Sequence, residues 1–209
     1  MSLTEQEFLA EVAHHQMTIV QDTGIHRHLR FRNPADSEAH FELITWPGYL
    51  CYTGDMGTFV FQRVTDMFEF FKSARQRANR TGNPISFDYR YWAEKLEAGK
   101  SESKAYSVGK FKNIVNEYMT EASFSAAARQ EVEDTVFEEA EMGQELAMRA
   151  LSEFSFEGAK FNEVDDLDPR EFTHHFVWCC FALAWSIEKY TQSKEYRESI
   201  GLDTQVTPH

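Results

Sequence analysis

With 209 residues, 42% of them hydrophobic, the chain is long enough to bury a real core as one large domain or two small ones. Its net charge of −13, from 21 basic and 34 acidic side chains, speaks against a surface that grips nucleic acid. The most apolar run, Phe176 to Trp185, is about half of the roughly 20 residues that a transmembrane helix needs, so it reads as a core helix and no membrane contact is expected.

Thr4 to His15 places Phe8, Leu9 and Val12 at helical spacing, with Ser2 or Thr4 as cap and Glu7 three residues after Thr4. Period two takes over from Met17 to Val20 and from Ile25 to Arg32, and Asp22-Thr23-Gly24 between them predicts a β-hairpin. In its second strand Ile25, Arg27, Leu29 and Phe31 share one face, while His26, His28, Arg30 and Arg32 make the other face basic. Asn33 to Ser37 breaks the chain, alternation resumes from His40 to Thr45, and Pro47-Gly48 supplies the centre of a type II turn. Leu50 to Thr53 and Thr58 to Gln62, joined by the tight connection Gly54 to Gly57, complete an antiparallel meander of four or five strands.

A helix is expected to begin at Thr65 or Asp66 and to end in the basic run Lys72 to Arg80, ahead of Thr81 to Pro84. Phe87 to Ala98 and Val108 to Glu121 follow as helices around a polar connection from Gly99 to Tyr106. Ser125 to Phe154 is the longest helical pattern, with Val132, Val136, Ala140, Gly143 and Ala147 along one stripe. After a loop from Phe156 to Pro169, Asp168-Pro169 reads as the cap and first residue of a last helix, Pro169 to Thr191, apolar nearly all round. The expected fold is α+β: an N-terminal antiparallel β-meander packed against a mainly helical C-terminal half. A single domain over residues 1–209 is expected, sheet-rich over 16–63, helical over 64–192 and with a flexible tail at 193–209.

Charge is unevenly placed, with 11 basic and 13 acidic residues (−2) in 1–100 against 10 and 21 (−11) in 101–209. Within the acidic half Glu131, Asp134, Glu138, Glu141 and Glu145 recur at spacings of 3, 4, 3 and 4, with no basic residue among them. Like charges four apart destabilise a helix by about a few tenths of a kcal/mol per pair. An uncompensated stripe is thus either a solvated face or a contact that presents phosphate-like charge to a basic groove. Trp46, Tyr49 and Tyr52, at the turn side of the meander, are candidate aromatic anchors for the same kind of partner.

Two other sites compete. The basic strand face of His26, His28, Arg30 and Arg32 has the residue types that track a nucleic-acid backbone, although the total charge disfavours direct nucleic-acid binding and pairing with the acidic helices is the plainer expectation. Glu11 with His14, and Glu171 with His174, form two Glu-x-x-His spacings on predicted helices. With Glu138, Glu141 or Glu145 they would match the donor set of di-iron bundle proteins and make a metal-dependent enzyme, but a β-meander separates the first helix from the others.

The remaining motifs are weaker. Gly54-Asp55-Met56-Gly57 precedes a strand, not a helix, so it reads as a hairpin and not a phosphate cradle. Asp165, Asp166 and Asp168 have the residue type for loose binding of a divalent cation, but a helix-capping loop explains them as well. No catalytic residue and no cofactor is expected. Cys51, Cys179 and Cys180, an odd number without C-x-x-C spacing, fit a reducing compartment. The first residues lack a secretory signal, so a cytoplasmic location is expected.

The segments His28 to Arg32, Phe41 to Phe61, Asp66 to Phe70, Tyr91 to Lys95 and Val177 to Phe181 resemble a family of uncharacterised proteins from tailed bacteriophages and prophages. The resemblance spans most of the chain and is strongest over residues 26–97. It implies a setting, a phage accessory protein inside a bacterial host cell, and carries over no catalytic residue. In that setting the expected function is non-enzymatic binding of a host or phage macromolecule, such as anti-defence or host-takeover inhibition through a DNA-mimic-like acidic surface. The expected partner is a host or phage protein, and a homodimer is compatible with it.

Overall fold

The computed structural model describes residues 3–36, 38–72 and 87–201. Ser2, Ser37, most of the basic run to Arg80, the expected break from Thr81 to Pro84 and the end of the expected tail lie outside the described residues. The chain divides into two compact units, one of residues 1–103 with 173–209 and one of residues 104–172.

In the first unit, helix α1 (Glu5–Glu11) begins with the expected capping box, in which Thr4 Oγ1 accepts from Glu7 N at 3.2 Å and Glu7 Oε2 accepts from Thr4 N at 2.8 Å. An antiparallel meander follows: β1 (Gln16–Thr23), β2 (His26–Arg32), β3 (Phe41–Trp46), β4 (Tyr49–Gly54) and β5 (Gly57–Gln62). The chain turns between β3 and β4 at Pro47 and Gly48, where Gly48 takes φ +85°, the positive value that position needs in a type II turn. Residues 67–72 are helical, and Asp66 Oδ1 accepts from Phe68 N at 3.0 Å at their start.

The expected helix from Phe87 to Ala98 is shorter. Helix α2 (Tyr89–Ala93), capped by Asp88, stops before β6 (Leu96–Ala98), which joins the sheet as its sixth strand beside β5. Leu96 is buried there, and three residues are too few to show a period of two.

Alternation sorts the sheet into two faces. Leu29, Phe31, Phe41, Leu43, Leu50, Tyr52, Phe59 and Phe61 point inward and are almost fully buried. The long last helix, labelled α6 (His174–Ser199), lays Phe176, Trp178, Phe181 and Trp185 into this core. Trp178 meets Phe41 edge-on at 5.4 Å between ring centroids and Phe8 of α1 at 5.0 Å. Burying rings of this size, at roughly 150–250 Å² each, dominates the stability of such a core. The helix is as apolar as expected but begins later: its cap is Thr173, whose Oγ1 accepts from Phe176 N at 3.2 Å, and not Asp168-Pro169. It also continues past Thr191, so residues 193–199 are helical where a flexible tail is expected.

The second unit is a continuous segment. Strand β7 (Lys104–Tyr106) at its start pairs antiparallel with β10 (Arg170–Phe172) at its end, so the chain enters and leaves this unit side by side. Between them lie helices α3 (Val108–Glu121), α4 (Ala126–Met142) and α5 (Gln144–Glu153), the short hairpin of β8 (Ser155–Phe156) and β9 (Ala159–Lys160), and a 3₁₀ turn at Val164–Asp166. Phe111, Val115 and Met119 of α3 pack with Val132, Val136 and Ala140 of α4 and with Ala147 and Leu151 of α5. The expected continuous helix from Ser125 to Phe154 is two helices, because Gly143 adopts φ +134° and ψ 166°, a conformation essentially confined to glycine. Among the described residues no helix is long and apolar enough to cross a membrane.

Candidate functional site

The acidic stripe belongs to the second unit. Counted over residues 104–172, 7 basic and 16 acidic side chains give −9, whereas the first unit has 14 and 18, giving −4. Asp134 and Glu138 are exposed on α4, beside a core stripe of Val132, Val136 and Ala140 on the opposite face. Glu131, Asp134, Glu138 and Glu139 of α4 line one open recess of about 450 Å³ together with Glu153 at the end of α5. The stripe is not continuous, however. The turn at Gly143 moves Glu145 into the first turn of α5, where its carboxylate sits favourably at a helix N-terminus. Nor is it wholly uncompensated, since Lys112 of α3 donates to Glu141 at 2.6 Å. Between these two carboxylates Met142 stands 74% exposed, the most exposed large apolar side chain described.

The three aromatic candidates separate. Trp46, 37% exposed, stacks on Tyr49 across the β3–β4 turn at 5.3 Å, and Tyr49 Oη accepts from Gln62 Nε2 at 2.9 Å. Tyr52 is no surface anchor: one residue of phase puts it beside Leu50 on the inner face, fully buried. Burial pushes its hydroxyl pKa far above the usual value, and among the described residues that hydroxyl has no hydrogen-bond partner.

On β2, His26, His28, Arg30 and Arg32 do share the outer face. Two of them, His28 and Arg30, are compensated by Glu42 of the neighbouring strand. Glu42 stands opposite Arg30 and takes its Nε at 2.7 Å on one oxygen and His28 Nε2 on the other. Burial alone would raise the Glu42 carboxyl, but the bonds from His28 and Arg30 outweigh it and hold it below the usual carboxylate range. Arg30, Arg32, Asn33, Asp36, His40 and Glu42 line an open recess of about 570 Å³ beside this face.

The two Glu-x-x-His spacings lose their helical geometry. Glu171 lies on β10, not on a helix, so it does not share a helical face with His174, the first residue of α6. Glu11 ends α1 with its Oε2 accepting from Trp178 Nε1 at 2.7 Å, and His14 follows in the exposed turn. Among the described residues no group of three or more His, Cys, Asp or Glu is placed to hold a metal ion. Cys179 and Cys180 are fully buried, and burial pushes both thiols well above their usual pKa, which suppresses thiolate chemistry.

One polar constellation had only a faint signature in the sequence. Arg27, in the apolar phase of β2 and 8% exposed, donates through both terminal nitrogens to Asp66 at 2.8 Å and through Nε to Tyr190 Oη at 3.3 Å. Tyr190 Oη donates on to Asp22 at 2.8 Å, which also receives Arg197 at 3.3 Å. The guanidinium lies over the Phe68 ring at 4.6 Å. The network ties β1, β2 and the start of the 67–72 helix to α6, so it is structural. The signal was Arg27 itself, a charge among Ile25, Leu29 and Phe31.

The molecule is thus an α+β protein with one sheet-bearing unit and one strongly acidic helical unit. Comparison with family models, curated proteins and solved structures finds no match to this chain.

Proposed function

We propose that the protein works by binding a basic macromolecule through the acidic surface of residues 104–172, as a phage accessory protein acting on host or phage machinery. The observation that carries this reading is the segregation of charge: −9 resides in one compact 69-residue unit and −4 in the remaining 140 residues. A charge held on one small unit steers association with a partner that normally grips phosphate. Met142, exposed between Glu141 and Glu145, adds an apolar contact where a purely solvated face would have none.

The test is capture of partners from a bacterial lysate by the tagged full chain and by a variant with Glu131, Asp134 and Glu138 all changed to Gln. The expected result is a stoichiometric basic partner that duplex DNA or heparin displaces and that the variant fails to hold. Equal retention by the variant, or a partner indifferent to polyanions, overturns the reading.

A further inference from the structure

The recess beside β2 has a different chemistry from the acidic unit, and its side chains divide into two sets. Arg30 and Arg32, two residues apart on the same strand face, sit roughly 7 Å from each other by strand rise. Arg30 is pre-set, because Glu42 holds its Nε at 2.7 Å and so fixes the plane of the guanidinium. Asn33 uses its side-chain oxygen to accept from Ala35 N at 3.1 Å, which orients its amide nitrogen as a further donor. The same recess is lined by the carboxylates of Glu42, which already accepts from Arg30 and His28, and of Asp36, one oxygen of which accepts from Glu38 N at 3.1 Å. A bare inorganic anion would meet both carboxylates and gain little. A ligand that offers an anionic group to the arginines and hydroxyl donors to the carboxylates matches both sets. The volume of about 570 Å³ falls in the roughly 300–1,000 Å³ range of small-molecule sites.

We propose that this recess binds a hydroxylated phosphate ester, of the class of sugar phosphates and nucleoside monophosphates, with Arg30, Arg32 and Asn33 on the phosphate and Asp36 and Glu42 on the hydroxyls. This site is independent of the acidic contact on the other unit.

Calorimetric titration of the full chain with ribose 5-phosphate, AMP, inorganic phosphate, ribose and a short single-stranded oligonucleotide tests it. Saturable binding of ribose 5-phosphate or AMP is expected, about tenfold or more tighter than either phosphate or ribose alone, because each half supplies charge-assisted hydrogen bonds. Arg32→Gln, at an exposed position, should weaken it by about tenfold, as should Arg30→Lys, which keeps the charge and loses the fork. Glu195→Gln, at an exposed position of α6 that belongs to neither site, should leave it unchanged. No binding of either ester at millimolar concentration overturns the proposal, as does binding that survives Arg32→Gln and Asn33→Ala. Binding of the oligonucleotide without the monomeric esters also overturns it, since that indicates tracking of a polymer backbone.

Discussion

Arg27 occupies a position in β2 where its neighbours in phase are Leu29 and Phe31, and the fold tolerates it because Asp66 meets it with two bonds of 2.8 Å, supported by Tyr190 Oη and the Phe68 ring. Removing Asp66 leaves the Arg27 charge desolvated, and because Asp66 itself is only part-buried Asp66→Ala is expected to cost about 2–3 kcal/mol in denaturant unfolding, short of the loss for a fully buried pair, whereas Arg27→Met combined with Asp66→Leu should cost far less. Burial alone would raise the Asp66 carboxyl, but the Arg27 guanidinium and the Phe68 N–H outweigh it and hold its pKa below the ordinary value. A depressed carboxylate contributes stability that is fully present above the unfolded pKa, near about 3.9, and is lost as pH falls through the folded pKa. Acid titration of stability should therefore lose part of its slope below about pH 4 in Asp66→Asn, and an unchanged slope would show that other carboxylates carry it. Tyr52 is the opposite case, a buried hydroxyl without a partner among the described residues. Tyr52→Phe removes a desolvated polar group at constant shape, and thermal unfolding should show a variant as stable as the parent or more so by about 1 kcal/mol.

At the level of elements, the meander was legible because hydrophobic alternation, Pro47-Gly48 and Gly54 to Gly57 all specified the same pairing, and its inner face follows that alternation residue by residue. What escaped was decided by tertiary contacts. β6 is three residues held by β5, and β7 and β10 are three residues each held by one another. Asp168-Pro169 has the look of a helix start, but Asp168 is spent on Lys104 and Arg170, both at 2.8 Å. The acidic site is half legible: its residues are plain from spacing, yet the spacing runs unbroken through Gly143, which keeps the helical register of Ala140 and Ala147. The conformation at Gly143 is what separates α4 from α5, and a Cβ added there meets nothing within 4 Å. Gly143→Ala should thus cost about 1–3 kcal/mol through backbone strain alone. A neutral effect on the denaturation midpoint would mean that the two helices can join through position 143.

For the molecule as a whole, the placement of charge sets how it should respond to salt. The unit of residues 104–172 holds −9, relieved locally by pairs such as Lys112 with Glu141 at 2.6 Å and Lys104 with Asp168 at 2.8 Å. Surface pairs of this kind contribute at most about 1 kcal/mol each, while repulsion acts among all the carboxylates in range. Raising ionic strength from about 0.01 M to 0.15 M shortens the screening length from about 30 Å to 8 Å, so repulsion should weaken more than the close pairs do. The thermal midpoint should rise over that interval. Changing Glu131, Asp134 and Glu138 together to Gln should raise the midpoint at low salt and flatten its dependence, because these three carboxylates share one recess with Glu139 and Glu153. A midpoint that falls with salt would mean that the pairs dominate and the acidic surface costs the fold nothing. If it rises, the chain keeps a surface that works against its own stability, and the binding experiment then has to show what that surface gains, since solubility alone needs no such concentration of charge on one unit.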